Sequence, residues 1–191
     1  MEIKNLIYEQ KNFMTPHMVS GLLRYYDDKV FHKGQVVNDG QEKQRDDLRK
    51  VKVVNILNKK VTSKTEMHWK NLLVKLIHYH VLRYAQNTYG SDLNLTKMTQ
   101  IDLLKYDVGD FYTIHVDCCE KYYRELSLII LLNNDYEGGQ LCFWDVNRKN
   151  IIHKVKTEIG KLIIWPSCFL YPHSVEAVTK GTRYSIVSWI K

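Results

Sequence analysis

Met98-Thr99-Gln100-Ile101-Asp102-Leu103-Leu104-Lys105-Tyr106 and Phe111-Tyr112-Thr113-Ile114-His115-Val116-Asp117 are two short apolar or alternating runs, parted by Val108-Gly109-Asp110. Runs of this length, bounded by turn-forming residues, read as strands. The pattern repeats to the end of the chain: Glu125 to Asn133, Gln140 to Val146, Ile151 to Lys156, Lys161 to Trp165, Leu170 to Val178 and Thr182 to Ile190. Eight regularly spaced strands fit a double-sheet jelly roll (a double-stranded β-helix), in which each sheet hides one face in a shared core.

Upstream of Met98 the periodicity is helical. Thr15 is an N-cap candidate with Pro16 at the first helical position, and Met18, Leu22, Tyr25, Tyr26 and Val30 fall on one face of a helix expected to fade near Lys33-Gly34. Asp39 to Lys50 reads as a charged surface loop and Val51 to Leu57 as a short strand. Ser63-Lys64-Thr65-Glu66 matches a capping box, and Trp69, Leu72, Leu73, Leu76, Ile77, His80, Val81 and Tyr84 recur at helical spacing up to Tyr89-Gly90. His78 and His80 on this helix are read as surface or packing residues, because positions two apart do not converge on one ligand. The expected architecture is α+β and mainly β. One domain spans residues 1–191, with 1–95 a helical support region and 96–191 the jelly-roll core.

Composition narrows the class. With 191 residues, 45% hydrophobic, 9 Gly and 3 Pro, the chain is neither fibrous nor disordered and suits one core. No apolar run approaches the roughly 18 residues of a membrane span, and the start Met1-Glu2-Ile3-Lys4 lacks a signal-peptide core, so a soluble, cytoplasmic protein is expected. The formal charge of +7 invites an anionic partner, yet the basic residues are interspersed with acids, which favours a solvated surface over a nucleic-acid stripe. Cys118, Cys119, Cys142 and Cys168 show no CxxC spacing and are read as reduced thiols.

His115-Val116-Asp117 lies inside a predicted strand, where residues i and i+2 project from one face. Alone, the triplet also fits a solvated strand face. His173, in Tyr171-Pro172-His173-Ser174-Val175, lies 173 − 117 = 56 residues further on, enough chain to cross between sheets and return. Two imidazoles and one carboxylate make the facial triad that suits non-heme Fe(II) and leaves open positions. Arg183 shares a strand face with Ser185, Val187 and Trp189, so an inward Arg183 is a buried cation that needs an anion, which a dicarboxylate co-substrate would supply.

From about Leu103 to Trp189 the chain closely resembles the iron(II)- and 2-oxoglutarate-dependent oxygenases, in particular the prolyl 4-hydroxylase-like branch. Tyr106 to Asp117 looks like that branch's YxxG(x)nHxD block. Arg124-Glu125-Leu126-Ser127, then Leu132-Asn133 and Tyr136-Glu137-Gly138-Gly139-Gln140-Leu141, are similar to its central hairpin. Gly160 to Ser167, Pro172-His173 and Gly181-Thr182-Arg183-Tyr184 are similar to its closing block.

The resemblance implies that His115, Asp117 and His173 are catalytic iron ligands and that Arg183 grips the distal carboxylate of 2-oxoglutarate, with Tyr106 and Ser127 adding contacts to this co-substrate. Tyr106 and Ser127 also read as an ordinary buried tyrosine and a strand serine. Tyr112, Arg124 and Trp189 match substrate-lining positions, although strand aromatics also serve as plain core. Leu131 departs from relatives that carry a Tyr there, which leaves more of the co-substrate to Arg183 and Tyr106. The implied cofactors are Fe(II), 2-oxoglutarate and O2, with ascorbate as an optional reductant.

The leading expectation is hydroxylation of a prolyl residue in a peptide or protein. The alternatives are a free amino acid or other small molecule, a methylated nucleobase, and a non-enzymatic basic jelly-roll binder. A nucleobase demethylase typically has a second Arg after the first in its closing strand, and Ser185 to Lys191 contains none. A binder with a relic site would be expected to have lost a triad member. Arg49 and the Gln35 to Asp47 loop are read as either a lid or a solvated loop.

Overall fold

The computed structural model describes the chain except residues 1–2, 39–40, 58–59, 61–62, 91–96 and 119–122, so Asp39 and Cys119, named above, lie outside the described residues. A 3₁₀ turn (Ile3–Leu6) is followed by β1 (Tyr8–Gln10), α1 (Pro16–Tyr26), β2 (His32–Lys33), β3 (Val36–Asn38), β4 (Gln41–Lys43), β5 (Arg49–Lys50), β6 (Lys52–Asn55) and α2 (Lys64–Tyr89). Then come β7 (Met98–Tyr106), β8 (Phe111–His115), β9 (Leu126–Leu131), β10 (Glu137–Gly138), β11 (Leu141–Trp144) and β12 (Ile151–Lys154). The chain ends with β13 (Lys161–Pro166), β14 (His173–Val175), β15 (Val178–Lys180) and β16 (Arg183–Ile190). All eight expected strands are present, as β7, β8, β9, β11, β12, β13, β14 and β16.

Both helices begin as expected: the Thr15 hydroxyl accepts from the Met18 amide at 3.2 Å and the Ser63 hydroxyl from the Glu66 amide at 3.1 Å. The first helix is shorter than expected. It ends at Tyr26, and Val30, assigned to its apolar face, is 75% exposed. Asp27 and Asp28 follow at the negative end of the helix dipole, which disfavours extending it. The charged 39–50 segment is also not all loop, because β4 and β5 lie within it, and residues 1–95 supply strands as well as helices.

Two antiparallel sheets form the body. The larger has the order β1-β13-β9-β16-β7-β6-β2 and the smaller β12-β11-β14-β8-β5, with β3-β4 and β10-β15 as two-stranded additions. Strand β9 is buried at every position, and its two faces serve two cores. Leu126, Leu128 and Ile130 pack with Leu22, Tyr26, Leu73 and Ile77 of the helices, whereas Ile129 and Leu131 meet Phe143, Tyr171 and Val175 from the smaller sheet's side. Strand alternation carries the rule to its neighbours: Ile101 and Leu103 of β7 face the helices while Leu104 and Tyr106 face the second sheet.

Lys161 is a buried exception in this frame. It is 1% exposed, and its Nζ donates to Glu9 Oε2 (2.9 Å) and the Lys156 carbonyl (2.9 Å) and lies 3.2 Å from Glu158 Oε1. Glu9 belongs to β1, so this ion cluster ties the first strand to the sheet edge. At the adjoining turn Gly160 has φ +70°, and a Cβ there would fall 1.9 Å from the Met14 carbonyl oxygen, so only glycine fits. Among the described residues, no helix is long and apolar enough to cross a membrane.

Candidate metal and co-substrate site

Strand β14 pairs antiparallel with β8, and the register sets His173 opposite His115. Asp117 follows the end of β8 by two residues. His115 Nε2 lies 3.7 Å from Asp117 Oδ1 and His173 Nε2 lies 3.4 Å from Oδ2. One ligand atom from each of the three falls within 4.8 Å of the others. Each histidine is held through its other nitrogen: His115 Nδ1 is 2.8 Å from the Thr113 carbonyl and His173 Nδ1 is 3.0 Å from that of Tyr171. A carbonyl can only accept, so the ring proton sits on Nδ1 and both Nε2 lone pairs turn toward the carboxylate.

The electrostatics agree with a neutral His115 ring. Desolvation, then the neighbouring His173, pushes the His115 pKa down to about 3. Burial acts to raise Asp117, but His173, His115, Arg124 and a hydrogen bond from Ser127 outweigh it and hold the carboxyl below its ordinary range. Two lone pairs and a carboxylate converging without a proton between them are unfavourable for the bare protein and right for a divalent cation, so the donor set fits Fe(II).

A cavity of about 320 Å³ opens in front of the triad, with Tyr106, Tyr112, Arg124 and Trp189 in its walls. Against its Tyr106 wall lies Arg183, 0% exposed, with its guanidinium carbon 5.0 Å from the Tyr106 ring centre. Arg183 Nη1 donates to Ser185 Oγ at 2.7 Å, while Nε and Nη2 have no partner among the described residues. A buried guanidinium with two unmet donors is costly unless an anion arrives, and its planar fork suits a carboxylate. Ser127 is buried as well, with its Oγ 2.7 Å from Ser167 Oγ.

On the outer side Tyr112 stacks on His115 at 3.5 Å, and burial raises its phenol pKa to about 12, so the ring stays neutral. Arg124 lies 3.8 Å above Trp189, and its Nη1 donates to the Asp117 carbonyl at 3.2 Å. Arg49 covers Tyr112 at 4.8 Å and bonds the Gln35 carbonyl at 2.7 Å, so part of the 35–47 segment walls the cavity. All nine site residues named from sequence therefore gather in or against this cavity. Lining residues that were missed include Asn55, Gln100, Asp102 and Trp165, whose buried Nε1 has no partner among the described residues. The signal for Gln100 and Asp102 was their even spacing from Tyr106 along one strand.

The sheet pair thus presents two histidines and one carboxylate, a donor set for a metal ion, close to a buried arginine with the geometry to take a carboxylate. Residues 101–191 match the family model described as "2OG-Fe(II) oxygenase superfamily", the same part of the chain whose motifs carry the resemblance. Human prolyl 3-hydroxylase 2 is 34% identical over 67 residues, 35% of this chain and 10% of that protein. A PKHD-type hydroxylase of Prochlorococcus marinus (strain NATL1A) is 39% identical over 88 residues, 44% of this chain and 38% of that one. The chain thus spans well under two thirds of these relatives. In fold it is similar to a Trichoplax adhaerens prolyl hydroxylase solved with a hypoxia inducible factor oxygen degradation domain peptide fragment: TM-score 0.79, 21% identity, covering 97% of this chain and 83% of that one.

Proposed function

We propose that the protein is an Fe(II)- and 2-oxoglutarate-dependent dioxygenase that hydroxylates a prolyl residue of a peptide or protein. One observation carries the reading: a His-Asp-His donor set lines the cavity, and a buried arginine with unmet donors lies behind its Tyr106 wall. In this reading His115, Asp117 and His173 hold the iron, and Arg183 receives the distal carboxylate of 2-oxoglutarate beside Tyr106. Ser127 steadies Asp117. Bound iron would supply the redox chemistry by which 2-oxoglutarate and O2 become succinate and CO2 while one oxygen atom enters a substrate C–H bond. The chain's own task is positional. The carbonyls of Thr113 and Tyr171 fix the imidazoles, and the apolar walls exclude water.

Tyr112, Arg124 and Trp189 would bind the substrate, with aromatic faces for a proline ring and a guanidinium for a peptide carbonyl or acid. The two facing sheets are those of a double-stranded β-helix, with residues 1–95 supporting the 96–191 core in one domain. Cys118, Cys142 and Cys168 form no disulfide among the described residues, which suits a reducing cytoplasm. Ascorbate would serve to keep the iron ferrous.

The test offers proline-containing peptides with Fe(II), ascorbate and 2-oxoglutarate and reads a gain of one oxygen by mass spectrometry. A broad panel left unmodified, while free proline, another amino acid or methylated DNA is oxidised, would overturn the peptide assignment and leave the oxygenase one.

A further inference from the structure

Beyond the triad and Arg183, the cavity holds a second buried charge. Asp102 is 7% exposed and lines the cavity together with Asn55 and Gln100. Its place follows from register. Asp102 lies opposite Asn55 on one side and Val187 on the other, four residues along β7 from Tyr106, or about 13 Å at strand rise.

Asn55 Nδ2 donates to Asp102 Oδ1 at 2.6 Å, and among the described residues no donor reaches Oδ2 and no cation comes within ion-pair distance. Neither nearby arginine pairs with it: Arg124 lies over Trp189 with its Nη2 toward Gln100 Oε1 (3.4 Å), and Arg49 lies over Tyr112 with its Nη1 on the Gln35 carbonyl and its Nε unpartnered among the described residues. Burial raises the Asp102 pKa, and Asn55, Arg49 and Arg124 only partly offset it. A buried carboxylate with one amide partner on the wall of a binding cavity lacks a counter-charge, and a ligand can supply it.

We infer that Asp102 receives a cationic nitrogen of the substrate, either a basic side chain beside the oxidised residue or a free amine on that residue itself. The inference rests on the peptide reading above and deepens it. Asp102 gives the cavity an acidic pole on a wall that also holds the guanidinium of Arg124. The cavity then selects a peptide with a positive charge near the proline, or one that begins with proline.

Binding tests this without turnover. Two matched peptide pairs are titrated calorimetrically, in the absence of oxygen, into protein loaded with Fe(II) and 2-oxoglutarate. One pair carries lysine or Nε-acetyl-lysine beside an internal proline with the N-terminus blocked; the other carries free or acetylated N-terminal proline. The cationic member of one pair should bind roughly thirtyfold tighter or more, and Asp102→Asn should close that gap. The pair that shows the gap identifies the source of the charge.

No gap in the wild-type protein overturns the inference, whether or not the variant folds, and so does a gap that survives Asp102→Asn. Admitting oxygen separates the two readings. Peptides that show the gap yet gain no oxygen overturn the prolyl assignment alone, whereas peptides oxidised without a gap overturn only the role of Asp102.

Discussion

Arg183 combines complete burial with two unsatisfied donors, so its replacement should be felt mainly by the anion it awaits. Arg183→Leu should weaken 2-oxoglutarate binding by on the order of 3 kcal/mol, more than a hundredfold, while metal binding changes little. Titrating each ligand separately checks the split. An unchanged 2-oxoglutarate constant would remove Arg183 from the role, and the two nearby lysines are poor replacements. Lys161 is bound to Glu9 and the Lys156 carbonyl, and Lys180 lies exposed with Glu137. The grouping of His115, Asp117 and His173 was legible from the i, i+2 spacing and the later histidine, although the strand expected through Asp117 ends at His115 and Asp117 reaches the group from the residues just after β8; an inward Arg183 was legible as a cation that demands an anion. Asp102 and Asn55 were not, because their meeting depends on the pairing of β6 with β7, a contact 47 residues apart that no local pattern encodes.

Among the elements, β1 is held to β13 by its register and by the ion pair between Glu9 and Lys161. Glu9→Ala would leave the Lys161 ammonium with only Glu158 and a carbonyl, a loss of about 2 kcal/mol or more in thermal or urea unfolding. Burial acts to raise the Glu9 pKa, but hydrogen bonds from Lys161 and His153 outweigh it, so the folded carboxyl titrates below its ordinary 4.5. A carboxyl depressed by folding adds stability above its unfolded pKa, and that stability fades as pH falls through the lower folded value. The wild-type melting temperature should therefore drop more steeply than that of Glu9→Ala below about pH 4.5; parallel acid limbs would deny Glu9 this role. The long strands and both helix starts were readable from alternation, turn residues and caps. The short strands β1 to β5, β10 and β15 were not, since two or three residues carry no period and form only because a neighbouring strand offers hydrogen bonds.

For the whole molecule, the site joins β8 and β14 of the smaller sheet to β16 of the larger, so ligands should clamp the sheets together. Saturation at about a hundred times Kd adds about 2.7 kcal/mol to stability, which in a chain of this size is a rise in Tm of roughly 5–10 °C. Fe(II) with 2-oxoglutarate, measured without oxygen, should raise Tm beyond either alone, and a chelator or Asp117→Ala should abolish the metal-dependent part. A rise that persists in Asp117→Ala would put the metal elsewhere.

Strand β16 begins with Arg183 and carries Trp189 six residues on, on the same face, about 20 Å away at strand rise. In the proposed reading this strand is a ruler fixed at one end to the co-substrate and at the other to the substrate. Its graduations are covalent and cannot stretch. A 2-oxo diacid one methylene longer would have its keto acid pushed toward the Trp189 end by about a bond length, out of step with the triad, and should support turnover poorly even where it binds. The tolerance of this protein for co-substrate length is thus written into the pitch of one strand.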